Sequence, residues 1–299
     1  MKGRGALRGL HGVLLGGSLL AASACHPAVS SRNHHMAIEH YNGGLRNLKN
    51  HQLQGAYWEF EYANHLDPNI PKVHYSLGHV YYLMHDMTDA WVEFKKALRH
   101  NDDPSSTYNY LGEIALEEKE YPEALKNFHK ALKNTLNKTP YFPLANIGKV
   151  YMLTGKYEKA KEFFAKAILR NDRFLPAYYW LGKVHMTEGA YEKALADFSQ
   201  TIRLAPNFSA GYYEIGKTYL KLDNPIHAAE AFEEAVRLDP NSKVGVKSKR
   251  YLLLLPRIVD GKVVPKGSHK GAGKSPSRAP SGASSPTNEE KMPGTRSQP

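Results

Sequence analysis

Fifteen histidines, one cysteine and 29 carboxylates are the groups in this 299-residue chain that could ligate a metal, supply a nucleophile or move a proton. Their spacing supports none of these roles. There is no HExxH pair, no Gly-x-Ser-x-Gly elbow, no phosphate loop and no dinucleotide fingerprint. The histidines are scattered without metal-ligand spacing and read as solvent-facing or core-edge rings. Glu117, Glu118 and Glu120 fall where a helix ends and read as a solvated helix end. A lone Cys25 excludes an internal disulfide and a cysteine-based zinc site. The expectation is a binding protein with no catalytic residue, no metal and no cofactor.

Recognition without catalysis needs a shaped surface, and the sequence specifies one by repetition. Glycines recur at Gly44, Gly78, Gly112, Gly148, Gly182 and Gly216, 34 residues apart except for one interval of 36. Twelve residues after each stands an alanine: Ala56, Ala90, Ala124, Ala160, Ala194 and Ala228. Four further on stands a phenylalanine: Phe60, Phe94, Phe128, Phe164, Phe198 and Phe232. Apolar residues recur at helical spacing in two stripes per unit, with Thr154-Gly155, Glu188-Gly189 and Asp223-Asn224-Pro225 breaking between them. Small Gly and Ala let paired helices approach, and the Phe fills the gap beside them. One pair cannot bury its apolar face alone, so the units must stack.

This pattern resembles the tetratricopeptide repeat (TPR). The resemblance implies an all-α, right-handed superhelix (α-solenoid) of six helix pairs over residues 37–255. Residues 244–255 form one more amphipathic helix, expected to cap the open end. The longer interval falls at residues 134–142, where two extra residues should lengthen a helix or loop and disturb the stack.

In TPRs the first helix of each pair lines the concave face, and inward positions are the second, fifth, ninth and twelfth of the unit. Units begin at 37, 71, 105, 141, 175 and 209. The fifth positions are Tyr41, Tyr75, Asn109, Ala145, Tyr179 and Tyr213. The ninth are Leu45, His79, Glu113, Lys149, Lys183 and Lys217. The twelfth are Leu48, Tyr82, Leu116, Met152, Met186 and Leu220, and Phe142 stands at a second position. The expected partner-binding groove comprises Tyr41, Tyr75, His79, Tyr82, Asn109, Phe142, Lys149, Met152, Tyr179, Lys183, Met186, Tyr213, Lys217 and Leu220. Tyr and Met rows offer adaptable apolar contact to a peptide or helix. Lys149, Lys183 and Lys217 read as a basic row suited to acidic residues flanking an apolar anchor. TPRs that grip a terminal carboxylate carry Lys and Asn at the fifth and ninth positions of the first repeat. Tyr41 and Leu45 stand there instead, so no such clamp is expected.

The N-terminus reads as an export signal. Lys2, Arg4 and Arg8 precede an apolar run over residues 9–20, and Ala22-Ser23-Ala24 leads to Cys25. The segment resembles the lipobox of bacterial lipoproteins, in which the residue after the cut is a Cys that receives lipid. The motif usually has Leu where this chain has Ala22, and Ala22-x-Ala24 also suits an ordinary signal peptidase cutting the same bond. The resemblance implies a signal peptide over residues 1–24, lipidation at Cys25 and a tether over 25–36. More than one acyl chain there would give stable membrane anchoring.

The net charge of +11 must be located before it is interpreted. Residues 1–24 carry +3 and residues 256–299 carry +5, leaving +3 on everything between. About half of the residues from 265 onward are Pro, Gly or Ser, so the basic tail over 256–299 is expected to be disordered. A near-neutral repeat region does not call for nucleic acid.

A lipoprotein signal followed by six TPRs, with Thr-Leu and Pro among the extra residues at 134–140, resembles the type IV pilus pilotins, the PilF/PilW/Tgl group. The resemblance implies an exported outer-membrane lipoprotein facing the periplasm. It would bind secretin subunits and aid their assembly. His26 after the cysteine is compatible with outer-membrane sorting, and the basic tail departs from the group's pattern. The alternative is a generic periplasmic scaffold that recruits envelope or cell-wall enzymes.

Overall fold

The computed structural model describes residues 29–99, 104–134, 137–255, 257–259 and 262–264. Cys25, the signal segment and the tail from residue 265 lie outside these. Twelve helices form six antiparallel pairs: α1 (Ser31–Lys49) with α2 (Leu53–Leu66), α3 (Pro71–Leu83) with α4 (Met87–Ala97), and α5 (Ser105–Glu117) with α6 (Tyr121–Lys133). They continue as α7 (Tyr141–Leu153) with α8 (Tyr157–Arg170), α9 (Leu175–Glu188) with α10 (Tyr191–Leu204), and α11 (Ser209–Lys221) with α12 (Pro225–Leu238). A thirteenth helix, α13 (Lys243–Leu254), packs on α11 and α12 and closes the stack. Each helix packs chiefly on its neighbours in the chain, and α5, α7 and α9 also meet in series. The result is an all-α solenoid built of TPRs.

The repeated triplet explains the pairing. All six phenylalanines, from Phe60 to Phe232, are wholly buried, as are the six alanines of the preceding turn. Each ring packs closely against the glycine of the partner helix. A Cβ on Gly78 would stand 2.8 Å from the Phe94 ring, and one on Gly182 would stand 2.7 Å from Phe198. Such distances are below contact, so only glycine permits the approach.

The turn inside each pair needs a left-handed residue, and six recur at repeat spacing. They are His51, His85, Lys119, Gly155, Gly189 and Asp223, with φ between 53° and 77°. Proline fixes the first turn of α3, α6, α9 and α12, where its missing N–H has no helical partner to lose.

Two segments differ from the sequence reading. The expected tether reached residue 36, but α1 begins at Ser31. The Ser30 side chain caps it by accepting from Asn33 N at 3.1 Å. His34 then ties the first turn to the buried Asp67 at 2.6 Å. The expected tail began at 256, but Arg257–Val259 and Lys262–Val264 pair antiparallel, with Ile258 opposite Val263. These runs are β-branched and flank an Asp-Gly dipeptide in the sequence, a strong hairpin signal that composition alone overlooks.

Candidate functional site

The described residues between α6 and α7, 134 and 137–140, form a loop rather than a continuation of either helix. Asn137 organises it: its amide donates to the Ala131 carbonyl at 3.0 Å, and its side-chain oxygen accepts from Thr139 N at 2.9 Å. Phe142 then leaves the start of α7 42% exposed, held against Tyr141 and Phe174. The loop forms one wall of a cavity of about 410 Å³. The opposite wall is α3, through Tyr75, His79 and Tyr82, and the floor is α5, through Asn109, Tyr110 and Glu113.

Five of the expected groove residues therefore converge here: Tyr75, His79, Tyr82, Asn109 and Phe142. Tyr110 joins them, although the inward positions did not include it. Its ring stacks on Phe94 at 5.1 Å and meets Tyr82 edge-on at 5.2 Å. It also touches Tyr75 and His79. Burial raises the Tyr82 and Tyr110 phenols above their ordinary range. Burial also holds the His79 imidazole below its ordinary value, favouring the neutral ring.

Glu113 is the polar centre of the cavity. One carboxylate oxygen accepts from Asn109 Nδ2 at 2.8 Å and from Asn146 Nδ2 at 2.9 Å. The other accepts from the Tyr82 hydroxyl at 3.1 Å. Asn146 also donates to Asn109 Oδ1, so α3, α5 and α7 are joined by one network.

The remaining expected residues do other work. Tyr41, Tyr179 and Tyr213 each lean on the phenylalanine of their own repeat, with centroids 5.8–5.9 Å apart. Burial pushes the Tyr179 and Tyr213 phenols up to about 12. Met152 and Leu220 pack against the cores of repeats four and six. Met186 accepts a hydrogen bond at sulfur from Thr218 at 3.2 Å.

The basic row is not a free row. Lys183 and Lys217 reach the two oxygens of Glu214 at 3.0 and 2.9 Å, and Glu214 is 5% exposed at its side chain. Lys149 lies over the Trp180 ring at 5.2 Å. The inward stripe named the lysines but not the carboxylate between them. The predicted complement, an acidic partner, therefore loses two of its three lysines.

Histidines are also more organised than their spacing suggests. His40 pairs with Glu59, His74 with Glu93 and His185 with Asp197, at 2.6–2.7 Å, each bracing the two helices of a pair. Burial raises the Asp197 carboxyl above its ordinary value. Among the described residues no three or more His, Cys, Asp or Glu gather in a metal-binding group. No described helix is long and apolar enough to cross a membrane.

The tetratricopeptide repeat family matches residues 144–173, 176–208 and 209–242, which are repeats four to six. Repeats one to three share their geometry. The fold and its groove define a TPR scaffold, a class suited to protein–protein interaction rather than catalysis. Among solved structures the chain is similar to PilF of Pseudomonas aeruginosa, at 20% identity and TM-score 0.62, covering 73% of this chain and 99% of that one. It is equally similar to PilW, described as a widely conserved type IV pilus biogenesis factor. There the identity is 19% and the TM-score 0.64, covering 71% and 97%. The Cut9 and Hcn1 hetero-tetramer of the APC/C matches at 18% identity and TM-score 0.65, covering 72% of this chain but 42% of that one. This chain thus spans less than half of that last neighbour. At these identities the likeness is one of fold. No curated protein matches the sequence.

Proposed function

We propose that the protein is an exported, lipid-anchored TPR scaffold whose concave face holds a segment of an outer-membrane secretin subunit, acting as a pilotin in type IV pilus assembly. The observation that supports this reading is the combination of Cys25, behind a segment that reads as an export signal, with a six-repeat solenoid of similar extent to PilF and PilW. Lipid at Cys25 would hold the solenoid at the membrane surface where secretin subunits arrive. The cavity between α3, α5, the 137–140 loop and the start of α7 supplies an aromatic socket for an anchor residue of the partner.

Deletion of the gene tests the reading. The expected result is loss of heat-stable secretin multimers and of surface pili, restored by the wild-type chain. Normal multimers in the deletion strain would overturn it. Recovery of cell-wall enzymes without secretin on affinity capture would point to the alternative scaffold role. For the anchor, Cys25→Ala is expected to abolish palmitate incorporation and release the protein from membranes.

A further inference from the structure

Two carboxylates of the concave face, Glu113 and Glu214, are in opposite states. Glu214 is satisfied by two lysines. Glu113 is held by three neutral donors, and no cation among the described residues pairs with it. It is half-buried, and the rings of Tyr75, Tyr82, Tyr110 and Phe142 share its cavity. A carboxylate among aromatic faces attracts a cation twice, by charge and by the rings' negative faces. The neutral His79 adds no competing positive charge.

From this we infer that the Glu113 cavity is a recognition site for a lysine or arginine side chain on a partner segment, flanked by apolar residues. The occupant is a basic peptide segment of a separate protein. Charge complementarity argues for it: the site offers one uncompensated negative charge, and the neutral amide donors of Asn109 and Asn146 fix that charge without cancelling it. The apolar rim, with Leu83 40% and Phe142 42% exposed, fits flanking leucine or aromatic side chains. The inference rests on the concave face being a partner-binding surface. It does not depend on the partner being a secretin.

The test uses the full chain and three capped tripeptides, Leu-Lys-Phe, Leu-Arg-Phe and Leu-norleucine-Phe, titrated by NMR or calorimetry at low salt. The expected result is that the cationic peptides bind about tenfold more tightly than the norleucine peptide. In Glu113→Gln that preference should vanish while the norleucine affinity is unchanged. Equal binding of the three peptides to the wild type would overturn the cation site, whatever the variant does. A preference that survives Glu113→Gln would place the cation elsewhere and overturn it too. Absence of binding by all three, in a chain that still captures a partner through its groove, would overturn the cation site and leave the scaffold reading standing. Displacement of the lysine peptide by a peptide of residues 265–299, dependent on Glu113, would keep the cation site and overturn a separate protein as its occupant.

Discussion

Lys183 and Glu214 form a 3.0 Å ion pair between the first helices of repeats five and six. Lys217 closes on the same carboxylate from one turn away on α11. These side chains join neighbouring repeats across the concave face, so Glu214 ties up both lysines and offsets one of their two charges. Glu214→Gln removes a nearly buried anion and leaves two lysines without a counter-charge. The expected loss is about 1–3 kcal/mol, read by denaturant unfolding. An unchanged midpoint would show that the pair contributes nothing to the stack.

The glycine and phenylalanine contact carries a second prediction. Alanine in a helix is normally favoured over glycine by about 1 kcal/mol. At Gly182 the added methyl meets the Phe198 ring within contact distance, so Gly182→Ala is expected to destabilise by about 1–3 kcal/mol instead. Phe198→Ala empties a fully buried site and should lose about 3–5 kcal/mol. Because a solenoid is joined only through neighbours, an interior lesion of this size should split a single unfolding transition into two, visible by calorimetry.

The left-handed turns predict opposite signs at equivalent positions. Lys119 holds φ 63° with a side chain, whereas Gly189 holds φ 77° without one. Lys119→Gly should therefore raise stability by a few tenths to about 1 kcal/mol, and Gly189→Ala should lower it by about 1 kcal/mol. Thermal unfolding of the two variants settles the comparison, and a shared sign would contradict the turn argument.

Glu93 gives a pH dependence. Burial pushes its carboxyl up, but hydrogen bonds from His74 at 2.7 Å and Lys96 at 2.6 Å outweigh that and hold it below its ordinary 4.5. A group lowered on folding stabilises above its unfolded value, and that contribution fades as pH falls through the folded value. Glu93→Gln is thus expected to lower stability by about 2 kcal/mol at neutral pH. The gap to wild type should close as the pH drops below 4.5. A gap that stays constant into acid would contradict the pairing.

The parts of the fold legible in the sequence are those set by local steric demand. Only glycine fits under Phe60 or Phe232, so the 34-residue rhythm is written in residue type. The first helices of repeats two to six begin at Pro71, Ser105, Tyr141, Leu175 and Ser209, where the rhythm places them. Gly155, Gly189 and Asp223 were visible as turn residues. The equivalent His51, His85 and Lys119 were not, because lysine carries no left-handed signal and the histidine preference is too weak to mark a turn among fifteen histidines.

The site was legible only in part, for a non-local reason. Of the inward stripe, Tyr75, His79, Tyr82, Asn109 and Phe142 line the same cavity. The stripe missed Tyr110, which sits at a sixth position and enters the cavity by stacking on the phenylalanine of the preceding repeat. It also read Lys183 and Lys217 as free, since Glu214 stands at a sixth position on the next repeat. Both omissions depend on how one repeat is rotated over its neighbour, and a single unit's spacing carries no record of that rotation.

The central claim is that partners enter through the concave face beside α3, α5, the 137–140 loop and the start of α7. The most direct measurement is photo-crosslinking in living cells, with benzoylphenylalanine in place of Phe142 on the cavity rim or Leu169 on α8, 85% exposed in the second helix of its pair. The account predicts a discrete crosslinked partner from position 142, lost when Glu113→Gln is added, and none from position 169. A crosslink from position 169 with none from position 142 would contradict it.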